Sequence, residues 1–228
     1  MKARLLLFDI DGTLLLSGGA GGRAMHSAGQ ELFGKAFIFE VNTAGKLDTE
    51  IYAELATLNA TFDLHSAHDA YRDTYLRHLE AELERVAGQV SALPGIHELL
   101  EHLGKEDYTL GLLTGNYGPA AALKLRAAGL EPDLFKITAF GDEAKTRPDL
   151  PPLAIEKYGV LTGETLLPEE VVVIGDTPRD IHCARVNGCV AVGVATGQFA
   201  AADLQDADLV LESFAGPGAF LELLSLTG

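Results

Sequence analysis

Short apolar runs that end near glycine or aspartate recur along this chain. The clearest cover residues 5–8, 110–113, 171–174 and 190–194, and weaker ones cover residues 137–140 and 209–211. Runs that are this short and apolar throughout are typical of strands that are buried on both faces. The pattern therefore predicts a sheet that is covered on both sides.

Helical patterns lie between these runs. Residues 119–128 are rich in alanine and leucine and stop at Gly129, and residues 151–158 stop at Gly159. Residues 179–186 form a third pattern of this kind. Strands that alternate with helices predict an α/β fold built on a parallel sheet.

The alternation is interrupted between residues 17 and 93, where no buried strand is evident. Residues 23–33 and 49–58 have helical patterns, and residues 67–86 form an amphipathic helix with apolar residues four positions apart. These apolar positions are Tyr71, Tyr75, Leu79 and Leu83. We expect this stripe to be part of a helical core.

Both borders of the interrupted stretch have the composition of hinges. Glycines crowd residues 18–22, and Leu93-Pro94-Gly95 follows the last helical pattern. We therefore expect a discontinuous α/β core over residues 1–16 and 94–228. A helical domain over residues 17–93 is inserted after its first strand.

Composition excludes several classes of function. The 228 residues are 47% hydrophobic, enough for a packed core, and 33 acidic against 17 basic residues give a net charge of −16. A chain this acidic repels phosphate backbones and anionic membranes, so we expect no nucleic-acid partner and no membrane partner. Two cysteines are too few for a disulfide framework, and no apolar run approaches about 18 residues. We expect a cytoplasmic protein.

Carboxylates follow two of the predicted strands. Asp9 and Asp11 follow the first strand, and Asp176 and Asp180 follow the strand over residues 171–174. Ligands of open α/β sheets bind at the carboxyl ends of strands, so these four acids should share one edge. They repel one another unless a cation lies among them, and carboxylates together with phosphate suit Mg²⁺. The sequence therefore predicts a magnesium site.

Thr114-Gly115-Asn116 follows a third strand, over residues 110–113. Its hydroxyl, amide and backbone N–H groups, near the start of a helix, suit the oxygens of a phosphate group. We expect these residues to bind phosphate beside the magnesium site.

These motifs are similar to those of the haloacid dehalogenase-like hydrolase superfamily. The resemblance rests on residues 9–14 (DIDGTL), a strand-ending Thr114, a basic residue before Pro148, and Gly175-Asp176 with Asp180. Residues 93–96 (LPGI) and 195–197 (ATG) resemble the phosphoglycolate phosphatase-type branch. The resemblance covers nearly the whole chain. It implies a Rossmann-like parallel sheet with helices on both faces and an inserted helical cap.

The resemblance also implies a reaction. Asp9, ionised at its ordinary pKa, would attack phosphorus and form an aspartyl-phosphate. Asp11, with a raised pKa, would act as general acid and then as general base. Asp9, Asp176 and the backbone carbonyl of Asp11 would hold Mg²⁺, and Asp180 would support the metal directly or through water.

The same resemblance assigns the binding of the transferring phosphoryl group to Thr114 and to the N–H groups of Gly115 and Asn116. A basic residue completes this set. The superfamily usually places lysine before proline, whereas this chain has Lys145-Thr146-Arg147-Pro148. We favour Arg147, which occupies the lysine position and can donate two hydrogen bonds to a phosphate group. Lys145 is the alternative.

Motif spacing indicates where the extra domain lies. Asp9 and Thr114 are 105 positions apart, but Thr114 and Arg147 are only 33 apart, so the insertion resembles a helical C1-type cap. A cap limits access and excludes water, which favours a small phosphorylated metabolite as the substrate. Arg23 and Lys46 could meet a substrate anion, but we expect both to be surface charges. A monomer and a homodimer remain equally open.

Other functions stay open beside the leading hypothesis, a magnesium-dependent phosphatase. A dehalogenase would need neither Asp11 nor Asp176. A phosphonatase would need a cap lysine, for which the stretch offers only Lys35 and Lys46. A phosphomutase would return the phosphoryl group to a sugar. A non-catalytic module that binds a phosphorylated metabolite would not need the intact set of acids.

Overall fold

A computed structural model describes residues 4–59 and 66–226 of the protein. Its strands are β1 (Leu5–Phe8), β2 (Leu15–Leu16), β3 (Ser91–Ala92), β4 (Thr109–Leu113), β5 (Ile137–Ala139), β6 (Val171–Gly175), β7 (Val190–Val194) and β8 (Leu209–Leu211). Six of these pair in parallel in the order β5-β4-β1-β6-β7-β8. Each of the six apolar runs in the sequence is a strand of this sheet.

The helices are α1 (Ala20–Phe33), α2 (Asp48–Leu58), α3 (His68–Arg85), α4 (Ile96–Leu103), α5 (Gly118–Ala127), α6 (Leu150–Thr162), α7 (Pro178–Val186) and α8 (Gly218–Leu226). None of the helices in the described part of the chain is long and apolar enough to cross a membrane.

Helices cover both faces of the sheet because alternate strand residues point in opposite directions. Leu6 and Phe8 of β1 belong to one core cluster with buried residues of α4, α5 and α8. Leu5 and Leu7 belong to a second cluster with α6 and α7. The predicted α/β fold with a parallel sheet and helices on both faces is confirmed.

The stretch from residue 17 to 93 contains α1, α2, α3 and the two-residue strand β3. β3 pairs antiparallel with β2, so that Leu15 lies opposite Ala92 and Leu16 opposite Ser91. The two ends of this stretch therefore lie side by side. Two residues are too few to produce a hydrophobic pattern, which is why the sequence did not predict this pair. α3 packs against α1 and α5, and its predicted apolar stripe is buried.

Two helix boundaries differ from the prediction by more than one residue. α6 continues past Gly159 and ends at Gly163, whose φ of 76° is the left-handed conformation that terminates helices. Gly159 has no positive φ, so its backbone does not end the helix. α1 begins at Ala20, so part of the predicted glycine hinge lies in the first turn of a helix.

Candidate active site

The carboxyl ends of β4, β1 and β6 lie side by side. β1 pairs with both neighbours, and Phe8 lies beside Leu112 on one side and Ile174 on the other. The residues that follow these strands therefore meet at one edge and line a cavity of about 490 Å³. From the three strand ends, the lining residues are Asp9, Asp11, Thr114, Gly115, Asn116 and Asp176.

The loop before α2 forms another wall of this cavity. The backbone N–H of Asp48 donates to the carbonyl of Gly115 at 2.7 Å, and the Tyr117 N–H donates to Asp48 Oδ2 at 2.8 Å. A Cβ on Gly115 would lie 2.0 Å from the carbonyl oxygen of Lys46, so only glycine permits this approach. The helical stretch thus contacts the sheet edge directly at the cavity.

Three acids and one arginine are buried together at the cavity. Carboxylate oxygens of Asp9, Asp176 and Asp180 lie within 4.8 Å of one another. Arg147 pairs with Asp9 Oδ1 at 3.2 Å and also with Asp180. Among the described residues, Arg147 is the only cation that forms an ion pair with any of these three carboxylates. Their excess negative charge is costly in a buried site unless a further cation neutralises it.

The pKa values reflect this shortage of positive charge. Burial, together with the repulsion of Asp180 and Asp11, raises the pKa of Asp9 despite the attraction of Arg147. Burial and the repulsion of Asp9 and Asp180 raise the pKa of Asp176 to about 8. The expectation that Asp9 keeps its ordinary pKa is therefore wrong, because the sequence did not reveal how deeply the carboxyl is buried.

A divalent cation fits between these acids. The backbone curves closely around the Asp176 carboxylate, since a Cβ on Gly12 or on Gly197 would lie 2.4 Å or 1.7 Å from its Oδ2. Thr13 Oγ1 donates to the other oxygen of Asp176 at a long 3.4 Å. Carboxylate oxygens are the ligands that Mg²⁺ prefers. Asp9 and Asp176 can therefore supply ligands for such an ion.

Asp180 has partners at both carboxylate oxygens. Oδ1 accepts from Arg147, and Oδ2 accepts from the backbone N–H and the hydroxyl of Thr177, at 3.1 Å and 2.7 Å. The Thr177 hydroxyl also accepts from the Asp180 N–H, which caps the start of α7. Asp180 thus anchors Arg147 to α7.

Of the two basic residues considered before Pro148, Arg147 lies in the cavity wall and Lys145 does not. The side chain of Arg147 is 3% exposed, and its Nη1 also donates to the carbonyl of Gly45 at 3.2 Å. Lys145 is exposed. Asp9 and Asp180 raise the pKa of Arg147 although burial opposes them, so the guanidinium is always charged.

Asp11 has a cation of its own, which the sequence analysis did not identify. Lys124 of α5 is buried, and its Nζ lies 2.5 Å from Asp11 Oδ2 and 2.6 Å from Asn116 Oδ1. The Asn116 amide donates to Asp11 Oδ2 and to Thr114 Oγ1, at 3.0 Å and 2.8 Å. One network therefore joins Asp11, the phosphate-binding loop and α5.

This network shifts the pKa of Asp11 in the direction opposite to the one expected. Burial acts to raise its pKa, but the Lys124 ammonium and hydrogen bonds from Asn116 and Ser17 lower it below its usual value. The expectation of a raised pKa is wrong. One signal in the sequence could have identified Lys124, because it shares a helix face with the apolar residues Ala120 and Ala121, three and four positions earlier.

The two cationic residues considered as substrate contacts are both paired with acids. Lys46 lines the cavity, but its Nζ lies 2.5 Å from Glu54 Oε1. Arg23 donates to Glu82 at 2.7 Å and to the carbonyl of Gly18 at 2.8 Å. The Lys46 ammonium and the Arg23 guanidinium therefore each have an acidic partner within the protein.

Comparison with known proteins gives a consistent family. A family model described as haloacid dehalogenase-like hydrolase matches residues 6–194. Hexitol phosphatase A from Escherichia coli (strain K12) is 31% identical over 231 residues, which cover 93% of this chain and 92% of that protein. A phosphoglycolate phosphatase from Escherichia coli O157:H7 is 28% identical over 171 residues, covering 70% of this chain and 65% of that protein.

Solved structures share the fold at lower identity. A hydrolase from Pseudomonas syringae superposes with a TM-score of 0.74 at 23% identity, over 97% of this chain and 99% of that chain. An identity this low supports the architecture alone.

Proposed function

Because the chain belongs to the haloacid dehalogenase-like hydrolase family, we propose that it is a magnesium-dependent phosphatase of small phosphorylated metabolites. One observation carries the proposal. A single cavity is lined by a nucleophile candidate, Asp9, by a proton-transfer candidate, Asp11, and by the cationic Arg147. Phosphoryl transfer depends on positioning the reacting groups and on stabilising the charge that develops, and these three kinds of group contribute to both.

In the first step, Asp9 attacks phosphorus, the ester P–O bond breaks, and an aspartyl-phosphate forms. Asp11 gives its proton to the leaving oxygen. In the second step, water attacks the aspartyl-phosphate, Asp11 accepts a proton from that water, and inorganic phosphate leaves. A phosphate dianion beside Asp11 favours the protonated carboxyl, because like charges disfavour ionisation.

The remaining residues bind and orient the phosphoryl group. Thr114, Gly115 and Asn116 line the cavity. The Thr114 hydroxyl and the N–H groups of Gly115 and Asn116 would bind the phosphoryl oxygens. Arg147 would hold Asp9 in place for attack. Asp9, Asp176 and the carbonyl of Asp11 would hold Mg²⁺, which when bound neutralises the negative charge of the phosphoryl group.

We assign Asp180 to the support of this site. Its carboxylate orients Arg147 and connects it to the start of α7. Hydrogen-bond partners of a metal ligand or of a catalytic side chain commonly fix its orientation. Asp180 would therefore affect the metal through Arg147 or through a bridging water.

We propose further that residues 17–93 act as the cap and that residues 1–16 and 94–228 act as the core. The paired strands β2 and β3 mark the two crossings, and the loop before α2 lies against Gly115 at the cavity. A cavity of about 490 Å³ suits a small metabolite. The names of the relatives favour phosphorylated sugar alcohols and phosphorylated hydroxy acids.

The test is a screen of phosphate release from small phosphorylated metabolites, with Mg²⁺ and with EDTA. Hexitol phosphates, phosphoglycolate and sugar phosphates form the core of the panel. We expect Mg²⁺-dependent release from at least one. Tight binding without release would identify a non-catalytic module, and accumulation of a sugar bisphosphate would identify a phosphomutase.

A further inference from the structure

Lys124 is the one lysine with a buried side chain in the part of the chain that the structure describes. It lies on the face of α5 that also buries Ala120, Ala121 and Leu125. Burying an ammonium group is costly unless it is paired and hydrogen-bonded. A lysine placed here therefore requires its partners, and both of them, Asp11 and Asn116, line the cavity.

The hydrogen bonds distinguish the two oxygens of Asp11. Oδ2 accepts from Lys124 Nζ at 2.5 Å and from Asn116 Nδ2 at 3.0 Å, which fills both of its lone pairs. Oδ1 accepts from the Ser17 hydroxyl at 2.9 Å, which uses one lone pair. Oδ1 is therefore the oxygen with room for a further partner.

We propose that Lys124 is a positioning residue for the proton-transfer step of the reaction. With Asn116 it fixes Oδ2 of Asp11, so that Oδ1 is the oxygen that exchanges a proton with the substrate. As the ester P–O bond breaks, its electron pair stays on the leaving oxygen, and the proton moves from Asp11 Oδ1 to that oxygen. The inference rests on the proposed phosphatase activity.

Lys124 acts through Asp11 and does not touch the substrate itself. It is absent from the cavity wall among the described residues. On its other side the first turn of α1 covers it, since a Cβ on Gly21 would lie 3.4 Å from its Nζ. Asp9 is paired with a different cation, Arg147. Loss of Lys124 should therefore impair proton transfer to the leaving group far more than attack on phosphorus.

The leaving group of the substrate separates these two effects. 4-Nitrophenolate leaves without a proton, whereas the alkoxide of 4-nitrobenzyl alcohol needs one, and the two phosphate esters have similar shapes. For Lys124→Met we expect kcat/KM for 4-nitrobenzyl phosphate to fall about 100-fold, the lower end of the range for general acid catalysis. For 4-nitrophenyl phosphate we expect a fall of less than about fivefold, since that ester bypasses the acid.

The ratio of the two kcat/KM values does not depend on the fraction of folded enzyme, so partial misfolding does not obscure the result. Lys124→Gln, which keeps the length and a donor but removes the charge, provides a second variant and should give an intermediate ratio. Lys105→Met is the matched control, because Lys105 is an exposed lysine paired with Glu101 and should leave both values unchanged. In an Asp11→Asn background, Lys124→Met should leave the ratio unchanged.

Equal losses on both esters in the two Lys124 variants, or faster hydrolysis of the benzyl ester, would overturn the proposal. Failure of the wild-type protein to release phosphate from either ester or from any metabolite would instead contradict the phosphatase function. The two failures are therefore distinguishable.

Discussion

Asp9 and Asp11 lie two residues apart at the end of one strand, yet their surroundings have opposite electrostatic effects. Asp9 shares Arg147 with Asp180 and lies close to Asp176, and burial with this repulsion raises its pKa. Asp11 has Lys124 largely to itself and accepts two further hydrogen bonds, which lower its pKa against the effect of burial.

The difference shows that the nearby charges and hydrogen bonds, and not the position in the motif, set the direction in which each pKa shifts. The Asp9 side has fewer cations than acids and is the side that suits a divalent ion. The Asp11 side is already neutralised by the protein. Two neighbouring carboxyl groups can thus take different roles, as pairs of acids in different environments do in other enzymes.

The largest expected effect is that of Asp9→Asn. Because the amide cannot form the aspartyl-phosphate, phosphate release should fall at least about 10³-fold. The thermal midpoint without Mg²⁺ should not fall, because the change removes a charge from an acidic cluster. Phosphate release and thermal unfolding measure the two effects. Activity within tenfold of the wild type would contradict the role of Asp9.

The next effect distinguishes the two basic residues that precede Pro148. Arg147→Met leaves three buried acids without their guanidinium, so the free energy of unfolding should fall by about 3 kcal/mol and activity should be lost. Lys145→Met, the control, should change stability by less than about 0.5 kcal/mol, because the side chain is exposed. Denaturant titration measures both, and a larger effect at Lys145 would reverse the assignment.

Metal binding should distinguish the surroundings of Asp9 from those of Asp11. Mg²⁺ at about a hundredfold excess over its Kd should stabilise the wild-type protein by about 2.7 kcal/mol. Asp176→Asn should lose this stabilisation, whereas Asp11→Asn should retain it, since only the backbone carbonyl of Asp11 is assigned to the metal. Thermal unfolding with Mg²⁺ and with EDTA gives the answer. An equal loss of stabilisation in both variants would show that the side chains of Asp11 and Asp176 belong to one metal site.

The smallest expected effect concerns Asp48, a buried acid whose charge interacts with that of Lys124. Burial raises its pKa to about 7. Between pH 4 and 7 the folded protein therefore binds more protons here than the unfolded chain, and stability declines as the pH rises. Asp48→Asn keeps an acceptor for the Tyr117 N–H and removes this decline. Its advantage over the wild type in EDTA should grow to the order of 1 kcal/mol by pH 7. An advantage that shrinks as the pH rises would contradict the raised pKa.

Much of the architecture follows from local sequence. Each strand of the main sheet is an apolar run such as Val190–Val194. The location of the motifs at the strand ends could therefore be predicted from the positions of these runs. The apolar stripe of α3 was likewise predictable, because four-residue spacing identifies a buried helix face. The pair β2–β3 was not, since two residues carry no periodic signal.

The electrostatic detail was not available from local sequence. Lys124 is 113 positions from Asp11, and their contact exists only because the fold brings α5 beside the loop that follows β1. The raised pKa of Asp9 likewise depends on Asp180, which reaches it from α7. Sequence motifs therefore identified which acids gather at the site, whereas tertiary packing determines their charges.

The aspartyl-phosphate itself provides the most direct test of the central claim. The protein is mixed with a substrate from the screen and Mg²⁺, quenched with acid over the course of a single turnover, reduced with borohydride and mapped by mass spectrometry. Borohydride converts an aspartyl-phosphate to homoserine. We predict homoserine at position 9, and none in Asp9→Asn or in EDTA. Phosphate release with homoserine at another aspartate, or with no homoserine at any time point, would contradict the account.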